Sequence, residues 1–142
     1  MTARPKPPTS LHVLEDRFFK VRVNRNLHLL HIVRTEATFV DVQEARQVYK
    51  WLVLAVTPYL RFRMLIDLRL AKGNTGNDIE TVIREVWFPT VLKFEKLAAL
   101  VATAAGRLQV NRMFREHGSP GKGFLSLEEA MTFLNVPTDA LS

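Results

Sequence analysis

Met64-Leu65-Ile66-Asp67-Leu68-Arg69-Leu70-Ala71-Lys72-Gly73-Asn74-Thr75-Gly76-Asn77-Asp78 is the stretch that decides the fold. With Arg61, Phe62 and Arg63 ahead of it, its first part is a short, dense apolar run. Such a run marks a central strand covered on both faces. Its second part is rich in Gly and Asn, which tolerate left-handed backbone, and reads as a loop. Beyond it Ile79, Val82, Ile83, Val86 and Trp87 recur at helical spacing and form one apolar face. Pro89 should end or kink that helix, because it has no N–H for the helical ladder. A buried strand that passes through a loop into a helix opens a parallel crossover unit.

Downstream the same alternation continues. Leu97 to Thr103 reads as another buried strand. Thr103 can cap a helix running to about His117, with Val110, Met113 and Phe114 inward. Gly118 to Gly123 is a loop, and Phe124-Leu125 leaves room for a very short strand. Ser126-Leu127-Glu128-Glu129 matches a capping box and opens a last helix through Leu134.

Upstream, Phe19, Val21 and Val23 alternate with Phe18, Lys20 and Arg22, the period of a half-buried strand. Asn24-Arg25-Asn26 supplies a turn, and Leu27 to Arg34 returns as a second strand of an antiparallel hairpin. From Asp41 the period changes. Val42, Ala45, Tyr49, Leu52 and Val56 line one helical face, with Asp41 and Glu44 as a capping box and Pro58 as the stop. The expected architecture is one α/β domain: a mixed sheet with an N-terminal antiparallel hairpin, then strand-helix units, with helices packed on it. The domain is expected over 11–136, with a flexible N-terminal tail over 1–10 and a C-terminal tail over 137–142.

The totals agree with one globular domain: 142 residues, 47% apolar and 24% charged. Cysteine is absent, which excludes disulfides, thiolate metal sites and a Cys nucleophile and fits a reducing compartment. No apolar run approaches the ~18 residues of a membrane span. Met1 to Ser10 carries Arg4, Lys6 and three prolines with no apolar stretch behind it, so it is not read as a secretory signal. A cytoplasmic location follows as the expectation. The net charge of +6 comes from basic residues spread along the chain, which suits a solvated surface better than a nucleic-acid footprint.

The order of elements and three stretches resemble the STAS family, in its SpoIIAA-like bacterial branch, from about Arg17 to Val136. Met64-Leu65-Ile66-Asp67-Leu68 is similar to the family's central strand with its Asp-containing end. Leu97 to Gly106 resembles the next strand and its entry into a helix. Phe124 to Leu134 is similar to the branch's closing strand and "EEA…WL"-type helix, with Phe133 where Trp is common. The resemblance implies a non-enzymatic module that binds a protein partner. It also implies a fold likened to lipid-transfer domains. In the best-understood relatives a Ser at the start of the helix after the central strand is phosphorylated, which switches capture of a kinase-like anti-sigma partner. Leu70 to Asp78 contains no Ser, and Thr75 is the hydroxyl available for phosphorylation there. Asp78 would repel a phosphate at that helix start.

The partner-binding residues read from the sequence are Asp67, Arg69, Lys72, Gly73, Asn74, Thr75, Asn77 and Asp78, with Trp51 and Trp87 as apolar anchors. The loop could point several amides at an anion, with Lys72 beside it, but it lacks the Gly-Lys-Ser/Thr ending of a P-loop. Asp67 has no second acid or His at a working spacing, so no catalytic residue is assigned. His12, His28, His31 and His117 form no metal-binding spacing, and no metal or cofactor is expected. Arg107, Arg112, Arg115 and Lys122 gather around one helix without the aromatic platforms of a nucleic-acid site. Trp51, Leu54, Trp87 and Phe88 exceed what one face of each helix needs, which suggests a homodimer or a larger complex. The alternative is a carrier that holds a small hydrophobic ligand or lipid between sheet and helices.

Overall fold

A computed structural model describes residues 11–71 and 77–141. The proposed N-terminal tail and the loop residues Lys72, Gly73, Asn74, Thr75 and Gly76 lie outside the described residues. Six strands form one sheet in sequential order: β1 (Leu11–Glu15), β2 (Phe19–Asn24), β3 (Leu29–Arg34), β4 (Arg63–Asp67), β5 (Leu97–Leu100) and β6 (Lys122–Phe124). β1 to β3 are antiparallel, and β3 to β6 are parallel. The mixed sheet expected from the sequence is present.

The expected hairpin is a three-stranded meander, because Leu11–Glu15 adds an edge strand that the alternation did not reveal. Its link to β2 is closed by Asp16, whose Oδ1 accepts from the N–H groups of Phe18 and Phe19, each at 2.7 Å. At the next turn Asn24 Oδ1 accepts from the N–H of Leu27 at 3.0 Å, and His28 takes left-handed backbone with φ of 50°. β3 therefore begins at Leu29 and not at Leu27.

The helices are α1 (Val42–Val56), α2 (Asn77–Val82), α3 (Phe88–Val91), α4 (Ala104–Glu116) and α5 (Leu127–Phe133). Three of the caps read from the sequence form, while Asp78, expected as the cap of the helix after β4, lies inside the first turn of α2, which begins at Asn77. Asp41 accepts from the Glu44 N–H, Thr103 from the Gly106 N–H and Ser126 from the Glu129 N–H, at 2.8, 3.0 and 3.2 Å. Pro89 does not end its helix. A π turn, Ile83–Trp87, joins α2 to α3, and the N–H of Phe88 donates to the carbonyl of Ile83, five residues back. Pro89 would crowd the carbonyl four residues before it, and the wider turn takes up that misfit.

One sheet face carries Val21, Ile32, Met64, Ile66 and Ala99 beneath α1, the α2–α3 segment and α4. The other carries Leu29, Leu65, Ala98, Leu100 and Phe124 beneath α5, with Met131 and Leu134 fully buried. Burial on both faces explains the continuous apolar runs of β4 and β5. Beyond Val136, a 3-10 turn at Thr138–Leu141 packs Ala140 and Leu141 against that second cluster. Among the described residues no helix is long and apolar enough to cross a membrane.

Candidate functional site

Parallel strands direct their carboxyl ends to one edge of the molecule, where open α/β sheets bind their ligands. β4 ends there with Asp67, which is 9% exposed. Its Oδ1 accepts from both the backbone N–H and Nε of Arg69, each at 3.0 Å, and its Oδ2 accepts from Nη2 at 2.8 Å. Burial pushes the Asp67 carboxyl up, but the bonds from Arg69 outweigh it and hold the group below the usual carboxylate value. Asp67 is thus an occupied carboxylate and not a free base. Arg69 keeps its side chain about half exposed. Leu70 is exposed at 57%, while Leu68 turns inward. Asp78 is exposed in the first turn of α2, with Asn77 at the start of that helix.

The apolar residues separate. Trp87 and Phe88 are buried at 6% and 5%, so Trp87 is a core residue and not a surface anchor. Trp51 is half-buried against the same core. Leu54 is the exposed member at 74%, flanked by half-buried Val53 and Val86 and by Lys50. The π turn packs against α1 and takes up part of the apolar surface that the sequence gives both segments.

Between the first sheet face and the helices lies an apolar cavity of about 130 Å³. Tyr49, Ile66, Leu68, Trp87, Met113 and Phe114 are among its walls. No local pattern in the sequence announced it, because its walls come from elements far apart in the chain.

A buried cation lies on the same side of the sheet as the cavity. Arg34 is 6% exposed and lies 4.8 Å from the Phe39 ring centre, 5.5 Å from Phe18 and 5.6 Å from Phe19. Its Nη1 donates to the Thr35 carbonyl at 2.7 Å. Burial pushes the Tyr49 hydroxyl up to about 12, against the opposing pull of Arg34. Sequence reasoning passed over Arg34. The period of two that puts Leu30 and Ile32 inward puts residue 34 on the same face, and that signal was available.

On the opposite face, His31 pairs in register with Arg22. Burial lowers the His31 pKa to about 4, with Arg22 and Arg69 adding to the shift and Asp67 opposing it. His28 stacks on Phe62 and His117 on Phe88. Among the described residues no group of three metal-binding side chains converges. Arg107, Arg112, Arg115 and Lys122 are all exposed, and Arg112 lies 3.8 Å from Glu116.

No family model matches the chain, and no curated protein matches it. Among solved structures, the chain is similar to an uncharacterized protein of the DUF3478 family with a SpoIIAA-like fold from Shewanella loihica PV-4. The two share 11% identity over 87% of this chain and 91% of the other, with a TM-score of 0.58. That likeness shows the fold: this chain has a SpoIIAA-like α/β architecture.

Proposed function

We propose that this chain is a cytoplasmic, non-enzymatic STAS-like module that captures a protein partner at the carboxyl end of β4 and the start of the helix after it. The observation that carries this reading is the Asp67–Arg69 pair. It fixes a half-exposed guanidinium beside exposed Leu70 at the edge where such sheets bind ligands. Contacts held in place before binding lose less entropy on capture. Asp67, the acid that a catalytic role would need, has both oxygens engaged. The strip of Leu54, Val53 and Val86 supports a second contact, between two copies of the chain. Glu at Lys72 and Asn74, with Arg69→Glu, should abolish partner capture from native lysate while the far-ultraviolet spectrum is unchanged. Undiminished capture by the folded variants would count against this surface.

A second reading rests on the cavity: the chain carries a small hydrophobic ligand between its sheet and helices. A dry apolar cavity of about 150 Å³ is large enough for benzene, so about 130 Å³ suits a compact ligand and not a whole lipid. Native mass spectrometry after gentle purification would detect such a ligand as an adduct that denaturation removes.

A further inference from the structure

The cavity between the first sheet face and the helices is walled by rings from four separate elements: Tyr49 of α1, Trp87 of the π turn, Phe88 of α3 and Phe114 of α4. The ring centres of Tyr49 and Trp87 stand 6.4 Å apart with the planes inclined by 43°. Those of Phe88 and Phe114 stand 6.3 Å apart and nearly perpendicular, at 86°. The thioethers of Met64 and Met113 border the same space. Among the described residues its lining is almost wholly apolar and includes no Asp, Glu, His, Lys or Arg. A buried water needs several polar partners, so such a chamber stays dry, and a charge brought into it would find no counterion.

Volume and walls together select the occupant. The space of about 130 Å³ suits one six-membered ring, since a dry cavity of about 150 Å³ holds benzene. Aromatic walls attract a further ring edge-to-face or offset, and a sulfur at a ring edge adds to the contact. Because the two ring pairs are set at different inclinations, an entering ring can turn an edge to one wall and a face to another. A saturated ring gains burial but none of these contacts. Phe114 is the one buried residue of α4, while Val110 and Met113 on that helix and Ile83 on the π turn are half-buried, which leaves the way in between α4 and the π turn.

From this lining we infer that the cavity is a binding site for a neutral compound built on a single aromatic ring, of about the size of toluene. This inference rests on the carrier reading above and adds the chemical class of the ligand.

The test compares toluene with methylcyclohexane, its saturated counterpart, and with the charged ring compounds benzoate and benzylammonium, on the full chain. Binding is read from the methyl resonances of Met64 and Met113, which border the cavity. Toluene is expected to bind at least about tenfold more tightly than methylcyclohexane, the value of two ring contacts. The two charged compounds should shift neither methyl. Ala99→Leu, which fills the chamber, should abolish the toluene shifts. Phe114→Leu removes one ring and should reduce the preference for toluene; if that variant does not fold, Met113→Leu, read at Met64, should reduce it by removing a thioether. Toluene binding no more tightly than methylcyclohexane would overturn the aromatic inference and leave the carrier reading standing. Either charged compound binding as tightly as toluene would overturn the neutral class, and a preference undiminished in the deciding variant would overturn the assigned contacts. If no compound shifts the two methyls, or the toluene shifts persist in Ala99→Leu, the carrier reading and this inference both fail.

Discussion

Arg69 grips Asp67 from two residues away with both edges of its guanidinium, Nε on Oδ1 at 3.0 Å and Nη2 on Oδ2 at 2.8 Å. The acid at the end of the central strand is thereby turned into a fixed part of the surface. Asp67→Asn keeps the shape and removes the charge. Because Arg69 is half exposed, solvent screens the pair, and the loss of stability should be only about 1 kcal/mol. Urea unfolding measures that loss, and the amide exchange of Arg69 should quicken together with it.

The stability of the domain should fall in mild acid. His31 has a folded pKa of about 4 against an ordinary 6.5, because burial disfavours its charged form. A lowered folded pKa means that the unfolded chain takes up the proton first. Its contribution is therefore complete above pH 6.5 and is lost as pH falls from 6.5 toward 4, to a ceiling of about 3 kcal/mol. Asp67 has its folded pKa held down as well, so its contribution drains away in the same direction below the ordinary carboxylate value. Denaturant midpoints at pH 7.5 and 4.5 should differ clearly in the wild type and much less in His31→Gln. Equal midpoints in the wild type would show that His31 is not buried as described.

Two neighbouring alanines of β5 should respond differently to enlargement. Ala98 is fully buried under α5, and Ala98→Leu should cost about 1–3 kcal/mol through overpacking. Ala99 lines the cavity on the other face, and Ala99→Leu should change stability by less than about 1 kcal/mol while closing the chamber to ligands. Thermal melts of the two variants compare them directly.

These contrasts also mark what the sequence could reveal. The caps at Asp41, Thr103 and Ser126 and the doubly covered strands β4 and β5 were legible, because each follows from local chemistry or from a run with one reading. β1 was not. Leu14 of that short strand packs inward while its neighbour Val13 is 45% exposed, and five residues give the alternation little length in which to show. Pro89 was read as a stop or kink because a sequence shows the missing N–H but not the packing of Trp87, Phe88 and Val91 that keeps the chain helical past it. The same packing withdrew Trp87 from the surface. Arg34 was legible in principle from strand period, yet a charged residue at a strand end is ordinarily solvated, and only the three surrounding rings show otherwise.

The central claim, that a partner is captured at the carboxyl end of β4, is tested most directly by site-specific photocrosslinking in native lysate. One probe replaces Leu70, exposed beside Arg69, and the other replaces Leu92, exposed at 43% just before β5 enters the opposite end of the sheet. The account predicts a discrete adduct from position 70, none from position 92, and loss of the position-70 adduct when Arg69 is changed to Glu. An adduct from position 92 alone, or equal adducts from both, would contradict it.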